Sequence, residues 1–215
     1  MSHIIVTPDR NDRPVMLEHC LKQVKCFNAT HGCHRVVNFP PRGSGFDLTE
    51  RIQEGWKEAI RNNMKWVIIV ENDDYYPSDY LHKVLLNIDD FDFIGCEFTY
   101  YYNIRERTWE RLYHPNRSSL FTTAFRVSAM LDFDWKRAHK LFLDIDIWKH
   151  ARKYRRTFID AGAVGIKGHG FGMAGGKGHV MKLKNKDPDM HWLESKVNKE
   201  SLEFYKSITK SCQSA

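Results

Sequence analysis

The sequence predicts an α/β domain whose central sheet is mostly parallel, with helices on both of its faces. Two observations carry this. Short apolar runs bounded by polar residues alternate with segments whose apolar residues recur at helical spacing, and the alternation persists over the first 98 residues. The run from Trp66 to Val70 then ends abruptly in Glu71, Asn72, Asp73 and Asp74. Three acids therefore stand at the C-terminal end of a buried strand, the edge where open α/β sheets bind their ligands.

The elements follow in order. Residues 3–7 form the first strand. Residues 14–24 form a helix with Val15, Leu17, Leu21 and Val24 at helical spacing and Asn11 or Asp12 as its cap. Residues 35–39 form the second strand, and the Pro-Pro-Arg-Gly-Ser-Gly stretch at 40–45 is a loop. Leu48, Ile52, Trp56 and Ile60 mark a helix over 48–60, residues 66–70 are the third strand, 78–88 a further helix and 91–98 a fourth strand. Such a series demands parallel pairing with helical crossovers.

Beyond residue 98 the pattern changes. Residues 98–103 and 109–114 are rich in aromatics and flank a charged turn, which predicts an antiparallel hairpin. Residues 119–130 are apolar and rich in small side chains, 142–154 read as helical, and 157–166 as one or two short strands. The glycines at 165, 168, 170, 172, 175, 176 and 178 predict a mobile loop, and 187–210 a charged helical tail. No internal repeat or low-complexity linker appears, so residues 1–215 are expected to form one domain with halves 1–98 and 99–186 and a tail at 187–215.

Composition narrows the class. Hydrophobic residues make up 42% of the chain, enough for a core, and 33 basic against 27 acidic residues leave a net charge of +6, which favours polyanionic partners. No apolar stretch has the length of a membrane span and no signal-peptide pattern is present, so a cytoplasmic protein is expected. Five cysteines without a C-x-x-C pair fit a reducing compartment. Cys20, Cys26, His31, Cys33 and His34 lie close in sequence as a candidate zinc set, but their spacing matches no standard finger, and free thiols are the ordinary reading.

The acidic cluster has two readings. Three carboxylates within four residues repel one another unless a cation sits among them, and hard divalent ions prefer oxygen ligands. The alternative is a solvated turn ahead of a helix, with Ser78 or Asp79 near the N-cap.

Three motifs in order carry a resemblance. Ile4-Ile5-Val6-Thr7-Pro8-Asp9-Arg10-Asn11-Asp12-Arg13-Pro14-Val15-Met16-Leu17 resembles the opening of family-2-type glycosyltransferases of the GT-A fold, a Rossmann-like domain. Glu71-Asn72-Asp73-Asp74 with Pro77 and Tyr80-Leu81 resembles that family's acidic D-x-D motif and the helix after it. Phe142-Leu143-Asp144-Ile145-Asp146-Ile147-Trp148 is similar to its later acidic motif. Together they span roughly residues 3–180.

The resemblance implies a nucleotide-diphosphate sugar donor bound by the first half, with Mn²⁺ or Mg²⁺ neutralising the leaving diphosphate. It places Asp73 as the direct metal ligand and Glu71 near the donor ribose or the metal's waters, with Asp74 able to do either job. It adds a later His as a further ligand, His169 or its rival His179. Lys167 or Lys177 could neutralise phosphate. Thr7, Pro8, Asp9 and Arg10 would line the nucleotide site with Asn72, and Arg51 or Arg42 would meet phosphate. Asp144 matches the general base of an inverting transfer, with Asp146 as the alternative. The sequence departs from the family in Glu71 for the first acid, in Arg10 where an aromatic is commoner, and in Asn38-Phe39-Pro40 where the second strand usually ends in Asp.

The second half would bind the acceptor. Tyr100, Tyr101, Tyr102 and Trp109 lie among Arg105, Arg107, Arg111 and Arg117, followed by Lys149, Arg152, Lys153, Arg155 and Arg156. Aromatics beside cations suit a hydroxymethylated DNA base, and equally a saccharide or lipid-linked glycan, while a hairpin buried against the core explains the aromatics as well. A metal-dependent nuclease and a non-catalytic nucleotide- or nucleic-acid-binding module are the rival classes. Oligomeric state is open.

Overall fold

In the computed structural model, which describes residues 2–27, 32–40, 46–172 and 182–213 (side chains to 209), the chain enters on the buried strand β1 (His3–Pro8). Helix α1 (Pro14–Lys25) follows; its proline at the first position fits a site that needs no backbone donor. Arg13 is its N-cap residue and no side chain caps it, so neither Asn11 nor Asp12 takes that role. Strand β2 (Gly32–Val37), helix α2 (Leu48–Arg61) and strand β3 (Trp66–Ile69) complete a parallel β2-β1-β3 unit, with His3 opposite both Gly32 and Trp66. The second strand thus starts and ends earlier than the expected 35–39.

Helix α3 (Tyr80–Leu85) and strand β4 (Phe93–Gly95) are shorter than expected. The hairpin falls where its pattern placed it, as β5 (Phe98–Asn103) and β6 (Thr108–Tyr113). Residues 119–130 supply two 3₁₀ turns around strand β7 (Ala124–Arg126), and this element departs from a simple parallel series. It runs antiparallel between β3 and β4, with Val67 and Phe93 both opposite Phe125. Helix α4 (Leu143–His150) and strand β8 (Arg156–Phe158) close the sheet, in the order β2-β1-β3-β7-β4-β8. The central sheet is therefore mostly parallel.

Helices cover both faces. On one face Cys20 and Val24 of α1 and Leu81 and Val84 of α3 bury against Ile5, Ile68 and Ile94. On the other, Ile52 and Ala59 of α2 and Ile147 and Trp148 of α4 bury against Ile4, Val6, Val67 and Phe93. Adjacent strand positions serve opposite faces, as the pleat requires.

The hairpin is half of a second sheet, β10-β6-β5-β9, completed by β9 (Val164–Lys167) and β10 (Asn185–Lys186). Residues expected to begin a mobile loop at 165 instead continue strand β9, parallel to β5, with Gly165 opposite Tyr101. A Cβ at Gly165 would collide with the Tyr101 ring, so the glycine serves close packing here. Helices α5 (His191–Glu194) and α6 (Lys199–Gln213) form the tail; Leu193, Tyr205 and Ile208 bury against Tyr75, Val164 and Ile166. No helix among the described residues is long and apolar enough to cross a membrane.

Candidate metal-binding active site

The acidic turn after β3 is clamped from three sides. Gln23 on α1 accepts the Tyr76 N–H at 2.6 Å and donates to the Asp74 carbonyl. Tyr75 exchanges backbone hydrogen bonds with Val164 of β9. The Tyr76 hydroxyl accepts the Glu71 N–H at 2.8 Å and donates to the Phe121 carbonyl at 3.1 Å. Carboxylates that would repel one another in a free loop are thus held by backbone and by neutral side chains.

The clamp gathers ligand oxygens of Glu71, Asp73 and Asp74 within 4.8 Å of one another, with both aspartates buried and Glu71 half-buried. The solvated-turn reading therefore fails. Asp74 Oδ1 accepts the Ile166 N–H at 2.8 Å and lies 3.6 Å from Lys167 Nζ, whereas its Oδ2 is buried without a hydrogen-bond partner. Asp73 Oδ2 pairs with the Arg13 guanidinium and lies 3.2 Å from His169 Nε2.

The charges sort by surroundings. Burial pushes the Glu71 carboxyl up, to about 8, and Asp74 and Asp73 push the same way. Burial likewise raises Asp74, to about 7, against the pull of Lys167. Burial would raise Asp73 too, but Arg13, the His169 hydrogen bond and Lys167 hold it far below the ordinary carboxylate range. Asp73 is therefore the fixed anion of the set, and Asp74 keeps one buried oxygen, Oδ2, without a hydrogen-bond partner. Three hard oxygen donors with one buried oxygen lacking a hydrogen-bond partner could hold a metal ion.

His169 lies beside the cluster, against Asp73. Its Nδ1 accepts the Phe171 N–H at 3.1 Å, which assigns the proton to Nε2, and that N–H points at Asp73 Oδ2. In this tautomer His169 orients Asp73 and has no lone pair to offer a metal at Nε2. His179, Lys177 and Arg42 lie outside the described residues. The cysteine–histidine set does not assemble among the described residues: Cys20 is buried with its thiol toward the Glu71 carbonyl, and His34 lies 2.9 Å from the Thr7 hydroxyl.

The loop after β1 borders the cluster. Buried Asp9 accepts from Asn72 Nδ2 at 2.7 Å and from the Asn11 N–H at 3.1 Å, so Asn72 ties this loop to the acidic turn. Thr7 and Pro8 are buried at the end of β1, and Arg10 pairs with Asp47 at 3.0 Å. Arg51 is spent inside the fold. It is 1% exposed, forks onto both oxygens of Asp47, donates to the Asp9 and Val37 carbonyls and stacks over Phe39. It fixes the loop that carries Asp9 and is not free to meet a phosphate.

Asp144 and Asp146 lie in the first turn of α4. Asp144 pairs with Arg117 at 2.5 Å, and Asp146 accepts the His139 N–H at 2.7 Å. The neighbouring Ser118 hydroxyl accepts the Cys96 N–H just past β4, which places Arg117 and Asp144 at the same edge of the central sheet as the acidic turn. Sequence reading missed Arg13, Gln23 and Tyr76 as site residues. Of these, only Arg13 stood in one of the three motifs, the Ile4–Leu17 stretch, where it was given no role.

No family model matches the sequence, and no curated protein matches it. Solved structures with similar chain traces include A197 from STIV, at 11% identity and a TM-score of 0.49 over 75% of this chain and 83% of that one. They also include S. aureus TarS 1–349, at 13% identity and 0.48 over 79% and 61%, and TarS 1–349 in complex with UDP-GlcNAc, at 14% and 0.49 over 78% and 59%. The chain thus spans about three-fifths of the TarS chains it resembles.

Proposed function

We propose that this protein is a metal-dependent glycosyltransferase that moves a sugar from a nucleotide-diphosphate donor to an acceptor hydroxyl. One observation carries the reading: a buried, pre-clamped triad of Glu71, Asp73 and Asp74 with an unsatisfied Asp74 oxygen, at the C-terminal edge of the central sheet beside the Thr7–Arg10 segment. Order and position of the motifs that resemble family-2-type enzymes support it.

The residues divide the work. Asp73 and Asp74 would hold the ion, with Glu71 completing the set or meeting the donor ribose; the bound ion would neutralise charge on the departing diphosphate. His169 keeps Asp73 oriented, and Lys167, raised by Asp74 and Asp73 in spite of burial, stays cationic at the rim of the cluster. Asn72 and Asp9 fix the floor on which the nucleotide would lie. Asp144 is our general base: it stands in the first turn of α4, paired with Arg117, at the same sheet edge as the acidic turn. Asp146 is tied to the loop before the helix and serves structure. The acceptor is a glycan or a hydroxymethylated DNA base, read from the basic residues of the second half; the hairpin aromatics are spent in packing, with Tyr101 and Tyr102 buried and Trp109 stacked on Trp192 of the tail.

The test is donor turnover with Mn²⁺ or Mg²⁺ across nucleotide sugars, beginning with UDP-GlcNAc, then with glycan and hydroxymethylated or plain DNA acceptors. Asp73→Asn is expected to abolish metal-dependent turnover while circular dichroism and melting stay near those of the parent. Full turnover in that variant sinks the assignment. Phosphodiester cleavage without any effect of nucleoside diphosphates would instead identify a nuclease.

A further inference from the structure

We infer that Arg13 is the resident counter-ion of the acidic site, a guanidinium that neutralises Asp73 in the metal-free protein and withdraws from it when a divalent cation binds. The inference rests on the metal-site reading above and adds what the metal must compete with.

Arg13 is placed for this by the sequence. It ends the turn between β1 and α1, and Pro14 behind it fixes the helix start, so its side chain reaches across to the turn after β3. There it pairs with Asp73 Oδ2, the same oxygen that faces His169 Nε2. A carboxylate oxygen offers about two lone-pair directions, so two donors fill it. A cation can take that oxygen only by displacing one of them.

The two donors are not equally held. His169 is fully buried and pinned through Nδ1 by the Phe171 N–H. Arg13 is 18% exposed in its side chain, its Nε is buried without a hydrogen bond, and a second carboxylate stands by, Asp12 at 3.8 Å from Nε. Gly172, at φ +71°, lies against this pair: a Cβ there would sit 2.8 Å from both Arg13 Nε and Asp12 Oδ2. The glycine leaves the guanidinium its seat beside Asp12 and Asp73.

Charge decides the direction. Three carboxylates face two fixed cations, Arg13 and Lys167, when the site holds no metal. A divalent ion added with both cations in place would leave an excess of positive charge in a buried pocket, where like charges repel strongly. Lys167 lies 3.6 Å from Asp74 and 5.7 Å from the centre of the Tyr101 ring, and the carboxylates near it are those of the cluster itself. Arg13 has Asp12 to turn to.

The experiment measures Mn²⁺ binding to the full chain without nucleotide, by loss of the free Mn²⁺ electron paramagnetic resonance signal and by calorimetry. Arg13→Met should bind Mn²⁺ about tenfold more tightly than the parent, because the competing buried ion pair is gone. Its metal-free melting temperature should fall, and Mn²⁺ should raise it by more than in the parent. Arg13→Lys, which keeps the charge but loses the fork, should fall between the two and stands in if the Met variant does not fold. Equal or weaker Mn²⁺ binding in the folded variants, with clear binding to the parent, overturns this inference alone. Absence of Mn²⁺ binding to parent and variants at millimolar metal overturns the metal site itself.

Discussion

Tyr76→Phe isolates the hydroxyl that clamps the acidic turn. The ring stays: it packs edge-on against Phe27, Tyr80 and Phe121 and is 1% exposed, so Phe fills the same volume. What disappears is one acceptor for the Glu71 N–H and one donor to the Phe121 carbonyl. Each buried group left unpaired costs about 1–3 kcal/mol, so the variant should lose about 2–4 kcal/mol of stability. For a domain of this size that is a fall in melting temperature of about 5–15 °C. Urea unfolding followed by circular dichroism measures it, with the m-value unchanged because no surface is newly exposed. The variant should also bind Mn²⁺ more weakly, since Glu71 loses its backbone anchor. A loss under about 0.5 kcal/mol would refute the clamp, because surface-like tolerance means the groups find other partners.

Three further outcomes follow from the same geometry. Arg51→Met takes the forked partner from the buried Asp47 carboxylate, leaving it Arg10 alone, and should cost about 3 kcal/mol in urea unfolding; a variant that keeps its stability but loses donor affinity would restore Arg51 to the phosphate site. His19 packs on Phe204 at 4.0 Å between α1 and α6, and burial lowers its pKa to about 4 from 6.5. The unfolded chain therefore binds the extra proton between those values. Its contribution is complete above about pH 6.5 and fades as the pH falls toward 4, so His19→Phe should flatten the parent's loss of stability between pH 7 and 4.5. An unchanged slope in denaturant midpoints counts against it. Gly172→Ala places a methyl against Arg13 and Asp12 in a left-handed backbone, and should lower the melting temperature and shift Mn²⁺ affinity together. A shift in neither would show that the turn relaxes freely.

Much of the fold was legible because its signals are local. The apolar run Trp66–Val70 and the aromatic alternation of the hairpin each declare one element without reference to another. Strand β7 was not legible as a sheet member. Ala124, Phe125 and Arg126 show no period of their own, and the strand's place between β3 and β4 is decided by pairing with residues about 30 to 60 positions away. Gly165 was read as loop for a related reason: what it makes room for, the Tyr101 ring, belongs to another strand. At the site, the acids announced themselves by crowding. Their supports did not, because Gln23 and Tyr76 are ordinary residues until α1 and the turn meet, and Arg51 looks like a phosphate ligand until its hydrogen bonds are traced to Asp47 and two carbonyls.

The triad also explains why two sheets are needed. The central sheet supplies the acids, but both aspartates are steadied by something outside it: Asp74 by the Ile166 N–H and Lys167 of β9, Asp73 by Arg13 and by His169 just beyond β9. Strand β9 is in turn held by Tyr75 of the acidic turn and by β5. Part of what opposes repulsion among the carboxylates thus exists only when the second sheet is docked. A change that loosens β9, far from any carboxylate, would therefore free Asp74 and Asp73 together. The site and the docking of the second sheet form one cooperative unit, and metal bound at the triad should stabilise both, in proportion to its affinity for the docked state.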